Sequence, residues 1–167
     1  MIEEAVTSAR VMFTGYLKLD EYYDYLHKLF VWLGYEVNEV LYRHKERADG
    51  KKEIELIWEC IKDVDSYTRF KINVNLFIGG IVKAEVVKDG KKVKMEKCDT
   101  DLKLKAKVVK DYKNHFENAF LKPFKYFYER VWYKATLDTW KGKLEEELIK
   151  IENEMKAFLN LQGIRVK

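Results

Sequence analysis

From residue 35 to residue 108 the chain keeps a two-residue hydrophobic alternation, interrupted only by short turn signals. A period of two sends alternate side chains to opposite faces of a strand, so this stretch is committed to consecutive β-strands. Residues 35–46 and 53–63 read as strands around the turn Ala48-Asp49-Gly50, with Ile54, Leu56, Trp58 and Cys60 sharing one face of the second. Residues 67–78 alternate cleanly, Phe70, Ile72, Val74, Leu76 and Ile78 against Arg69, Lys71, Asn73 and Asn75. Gly79-Gly80 reads as a break, and residues 81–88 and 91–97 as a hairpin across Asp89-Gly90. An Asp-Gly pair between two alternating runs is a strong hairpin signal. A last strand, 102–108, sets Leu102, Leu104, Ala106 and Val108 against Lys103, Lys105 and Lys107. Strands with one apolar and one polar face belong to an antiparallel sheet that is wet on one side.

The flanks have other periods. Residues 9–17 alternate and predict a first strand. In residues 19–33, Leu19, Tyr22, Tyr23, Leu26, Leu29, Phe30 and Leu33 recur at three and four, the mark of one helical face. Asp20 and Glu21 favour its start and Gly34 its end. From about residue 112 the period is helical again. Phe116, Phe120, Phe124, Phe127 and Val131 form a stripe containing Pro123, which kinks or restarts a helix. Leu137, Leu144, Leu148, Ile151, Met155 and Phe158 then form a near-heptad row that tolerates Gly142 and stops at Gln162-Gly163.

The expected fold is therefore α+β: a curved antiparallel sheet of six or seven strands, an N-terminal helix, and C-terminal helices gripping the sheet. With 167 residues and no linker, repeat or low-complexity stretch, one domain is expected, sheet and first helix over 8–112 and the helical segment over 113–161. This order of elements resembles the START-like helix-grip superfamily, which includes lipid-transfer domains and polyketide-cyclase-like proteins; the resemblance spans about residues 8–135. It implies a cavity between sheet and helix that accepts an apolar ligand.

Composition excludes more than it assigns. Two cysteines rule out a disulfide-dense scaffold and a four-cysteine zinc site. His27, His44 and His115 show no metal-ligand spacing, and no phosphate-binding or nucleophile motif occurs. Neither metal nor cofactor is expected. Cys60 reads as a small buried hydrophobe and Cys98 as an ordinary exposed thiol. Glu55 and Glu59 share a strand face and read as solvated or ion-paired rather than as an acid–base pair, so no catalytic residues are assigned. No apolar run is long enough to span a bilayer, and the acidic start lacks an apolar signal core; a cytoplasmic protein is expected. High Lys and Glu with one Pro is a thermophile-like composition.

Three binding readings follow. The leading one is non-catalytic binding of an apolar or amphipathic small molecule between sheet and C-terminal helix, in a groove of Trp58, Phe70, Val74, Leu104, Phe124, Tyr128 and Trp132. A second rests on charge. Residues 1–66 hold nine basic and fourteen acidic side chains, whereas residues 67–112 hold twelve and six. Arg69, Lys71, Lys83, Lys92, Lys94, Lys103, Lys105 and Lys107 would line one sheet face, opposed only by Glu85 and Glu96. Such a face suits nonspecific contact with nucleic acid or another polyanion. The third is a homodimer through Leu137, Leu144, Leu148, Ile151, Met155 and Phe158, if the Phe116 stripe already covers the sheet.

Overall fold

A computed structural model describes residues 1–116 and 118–166. Strand β1 (Ile2–Leu17) leads into helix α1 (Leu19–Trp32). Four strands follow: β2 (Glu36–Glu46), β3 (Lys52–Asp63), β4 (Thr68–Lys88) and β5 (Lys91–Lys110). Helix α2 (Lys122–Phe127) runs into a π-helical turn (Tyr128–Trp132), and α3 (Lys134–Gln162) ends at the two-residue strand β6 (Ile164–Arg165). The sheet is antiparallel with order β2-β3-β4-β5-β1-β6. The α+β reading and the six-stranded open sheet agree with the alternation in the sequence.

The four segments read as 67–78, 81–88, 91–97 and 102–108 are two long strands. Gly79-Gly80 bends β4 without ending it: the register passes from Gly79 opposite Asp99 to Val82 opposite Lys97. This is a β-bulge, and Gly80 takes φ +60°, which a residue without Cβ adopts freely. Further bulges lie between Ala5 and Thr7, Glu39 and Leu41, and Lys52 and Ile54, each adding twist. The Asp89-Gly90 turn has both residues at positive φ, as a two-residue hairpin of the primed type needs.

The inner face carries the ladder Trp58–Val74–Leu104 beside Leu56–Leu76–Leu102, all buried. Helix α3 covers it. Leu137, Leu144, Leu148, Ile151 and Met155 are buried in that core, and Phe158 packs on the rings of Tyr22 and Tyr25. The expected division of labour between the two C-terminal stripes is thus reversed. The row assigned to a homodimer covers this chain's own sheet. The stripe assigned to the sheet is largely exposed at Phe120, Phe124, Phe127 and Val131. The physical reason is length. Helix α2 starts only at Lys122, with Pro123 in its first turn, whereas α3 runs unbroken through Gly142 and, at ~1.5 Å per residue, reaches about 44 Å.

Asp65, in the β3–β4 turn, fixes the start of α3. It accepts hydrogen bonds from the backbone N–H groups of Tyr67 (2.7 Å) and Thr68 (2.6 Å), from Trp140 Nε1 (2.9 Å) and from the Tyr133 hydroxyl. Burial pushes the Asp65 carboxyl up, but these donors, Tyr133 first, outweigh it and hold it below its ordinary value. A depressed native value means the stabilisation is complete above the ordinary aspartate range, near pH 4, and is lost as pH falls through the native value. Asp65→Asn is expected to cost about 2–3 kcal/mol at neutral pH, because donors are left without a charged acceptor. Urea denaturation of both proteins checks this: the gap should shrink in acid, and a gap independent of pH would show that the charge contributes nothing.

Candidate functional site

Around the start of α1 the inner sheet face is incompletely covered. Helix α1 is about 21 Å long, whereas β3 and β4 extend about 40 Å and about 70 Å. Where α1 begins, the sheet continues past it, leaving a groove of about 660 Å³. Its floor is Leu56, Leu76, Ile54 and Ile78, consecutive partners across the β3–β4 ladder. Leu19 and Tyr23 of α1 form one wall, Tyr42 of β2 the other, and Asp20, Asp24 and Glu39 stand at the rim. A smaller recess of about 480 Å³ continues it through the shared Leu19 and Ile54 toward His44, Ile81, Lys83 and Glu96.

Local structure aims each group. The bulge at Val40 offsets the pairing, so that Glu39 stands opposite Trp58 and Tyr42 opposite Leu56. Both therefore face inward despite their odd and even positions. Glu39 Oε2 accepts from the Tyr23 hydroxyl and from Trp58 Nε1, each at 3.1 Å. The rings of Tyr23 and Trp58 meet edge to face at 5.3 Å. Burial first, and then the Glu39 carboxylate, push the Tyr23 phenol above its ordinary value, which keeps it protonated and donating. Asp24 pairs with Lys28 one turn on, at 2.7 Å. The groove thus has an apolar floor, two phenols and a negative rim.

The seven residues expected to line a groove lie elsewhere. Trp58, Phe70, Val74 and Leu104 lie in the solid core, at most 1% exposed, and leave no room for a ligand. Phe124 and Trp132, at 56% and 73% exposed, face outward, and Tyr128 is half-buried, stacked on Tyr133 and edge-on to Tyr67. None of the seven lines the groove. The reason is that α3 seals the face where the groove was expected. The signal that finds the groove beside α1 is a comparison of lengths, since a helix of 14 residues cannot cover strands of 12 and 21.

The expected basic face is also divided. Arg69 pairs with Asp63, Lys71 with Glu3 (2.7 Å) and Glu59 (3.3 Å), Lys107 with Glu3 (3.1 Å), and Lys103 lies 3.9 Å from Asp101. Except for Asp101, which lies two residues from Lys103 on the same strand, these carboxylates come from other strands, which counting along one strand does not reveal. Strand β5 is unbroken, so Lys92 and Lys94 share the parity of Leu102 and Leu104, opposite to that of Lys103, Lys105 and Lys107. The bulge at Gly79-Gly80 turns Lys83 into the smaller recess, directly opposite Glu96, and Lys94 stands opposite Glu85. The eight residues do not form one positive surface.

Glu55 lies 3.6 Å from Arg43, and Glu59 is held by Lys71, so the two carboxylates are ion-paired on the outer face. Cys98 is buried rather than exposed, as is Cys60, and burial pushes both thiols up to about 12, which leaves them protonated. His27 packs edge-on to Trp58. Among the described residues no three His, Cys, Asp or Glu side chains are grouped to hold a metal ion, and no helix is long and apolar enough to cross a membrane. No protein-family model, no curated protein and no solved structure matches the chain.

Proposed function

We propose that the chain binds an apolar or amphipathic small molecule, without chemistry, in the groove between α1 and the inner faces of β2, β3 and β4. The observation that carries this is a groove of about 660 Å³, within the range of small-molecule sites, whose buried aliphatic base of Leu56, Leu76 and Ile78 is edged by the more accessible Ile54, Tyr23 and Tyr42 under a negative rim. Water against the accessible apolar surface of Ile54, Tyr23 and Tyr42 is costly, at roughly 25 cal/mol per Å², so an apolar ligand gains by displacing it. Asp20, Asp24 and Glu39 favour a ligand whose polar end is cationic or donates hydrogen bonds. The helix-grip resemblance draws support from the placing of β1 beside the last long strand and of a long C-terminal helix across the sheet. The groove differs from that expectation in lying beside the N-terminal helix.

Native mass spectrometry of freshly purified protein tests the reading. Ile54 borders both the groove and the recess, and Ile54→Trp fills the space between them. The expected result is a non-covalent small-molecule adduct on the wild type that is absent from Ile54→Trp. An adduct retained in full by a folded Ile54→Trp protein would place the ligand elsewhere.

A further inference from the structure

The segment 116–133 has two unlike sides. Its inner side is anchored: Phe116, Tyr128 and Tyr133 surround Tyr67, and Glu129 accepts from the Tyr67 hydroxyl and lies 3.8 Å from Lys110. Its outer side presents Phe120 (78% exposed), Phe124 (56%), Tyr126 (65%), Phe127 (57%), Val131 (59%) and Trp132 (73%). Rings at this density are not required by the core, since α3 already covers the sheet. An apolar patch that the fold leaves open marks a surface for contact.

Charge says what contacts it. Residues 116–134 carry Lys122, Lys125, Arg130 and Lys134 against two carboxylates, Glu117 and Glu129, the second of which is turned inward. Lys125 is engaged by the buried Asp111 at 3.4 Å, whereas Lys122, Arg130 and Lys134 are exposed among the rings. Rings interleaved with cations suit the headgroup boundary of a bilayer, where the rings enter the acyl layer and the cations meet anionic phosphates. A second copy suits the patch poorly, because a two-fold contact sets a net-positive patch against the same net-positive patch.

We propose that residues 120–132 dock on the surface of an anionic lipid bilayer, lying on the membrane rather than crossing it. The experiment is co-sedimentation with phosphatidylcholine vesicles with and without phosphatidylserine, with tryptophan emission as a second readout. The wild type is expected to bind the phosphatidylserine vesicles, to shift its emission to the blue as Trp132 enters the interface, and to release in high salt. Trp132→Ser with Phe124→Ser should lose binding at an unchanged thermal midpoint, because both side chains are exposed. Lys122→Glu with Arg130→Glu should weaken binding roughly tenfold or more. Wild type that stays in the supernatant with phosphatidylserine vesicles at low salt would overturn the proposal. So would full binding by the ring variant, or a wild-type dimer that the ring variant dissociates, which would assign the patch to a second copy.

Discussion

Leu148→Glu is expected to unfold most of the protein at room temperature. Leu148 is 2% exposed in the middle of the α3 row. A carboxylate there must be buried without a partner or be protonated, and either costs several kcal/mol. Leu148→Ala removes only volume and should cost about 2–5 kcal/mol. A single domain has about 5–15 kcal/mol in total, so the first change is decisive and the second is not. Circular dichroism and urea denaturation measure both. A soluble, folded Leu148→Glu protein with the wild-type midpoint would mean that the row faces solvent or another molecule, and the assignment of α3 to the core would fall.

Phe70→Ala is expected to cost about 3–5 kcal/mol, through lost burial and the cavity left behind. Phe70 is fully buried, stands opposite Val108 and meets Trp140 edge to face at 6.0 Å. Trp140 in turn donates to Asp65, so the change also loosens the seat of α3. Neighbouring sites couple, and Phe70→Ala combined with Asp65→Asn should therefore cost less than the sum of the two. Strict additivity in a double-mutant cycle would show that the ring and the carboxylate act independently.

What was legible follows from what each signal measures. Alternation reports which side chains share a face; of the cluster Trp58, Phe70, Val74, Leu104 and Phe124 expected to be buried together, the four strand residues are in the core, whereas Phe124, added by helical spacing, is exposed. The helical period with Gly34 placed α1 to within one residue of Leu19–Trp32, and Gln162-Gly163 marked the end of α3. Alternation is blind to bulges, because one extra residue inverts every later parity. The bulge at Val40 brings Glu39 and Tyr42 to the same face, and the one at Gly79-Gly80 takes Lys83 out of the basic face. Helical period has a similar limit. Phe116 to Val131 has the spacing of a core stripe, yet Pro123 shortens the helix, and a longer competitor already covers the sheet. Which of two apolar stripes is buried depends on reach and anchoring, here the ring of donors around Asp65, and neither is written in periodicity.

On the proposed function, the groove beside α1, and no other surface, takes the apolar ligand. Fluorescence titration with the neutral probe N-phenyl-1-naphthylamine tests it most directly, on wild type, Ile54→Trp and Trp132→Ser. One saturable site is expected on wild type and on Trp132→Ser with equal affinity, and affinity at least roughly tenfold lower on Ile54→Trp, because the indole occupies the floor the probe needs. Equal binding by wild type and a folded Ile54→Trp, or loss of binding in Trp132→Ser, would contradict the assignment and move the ligand to the exposed rings.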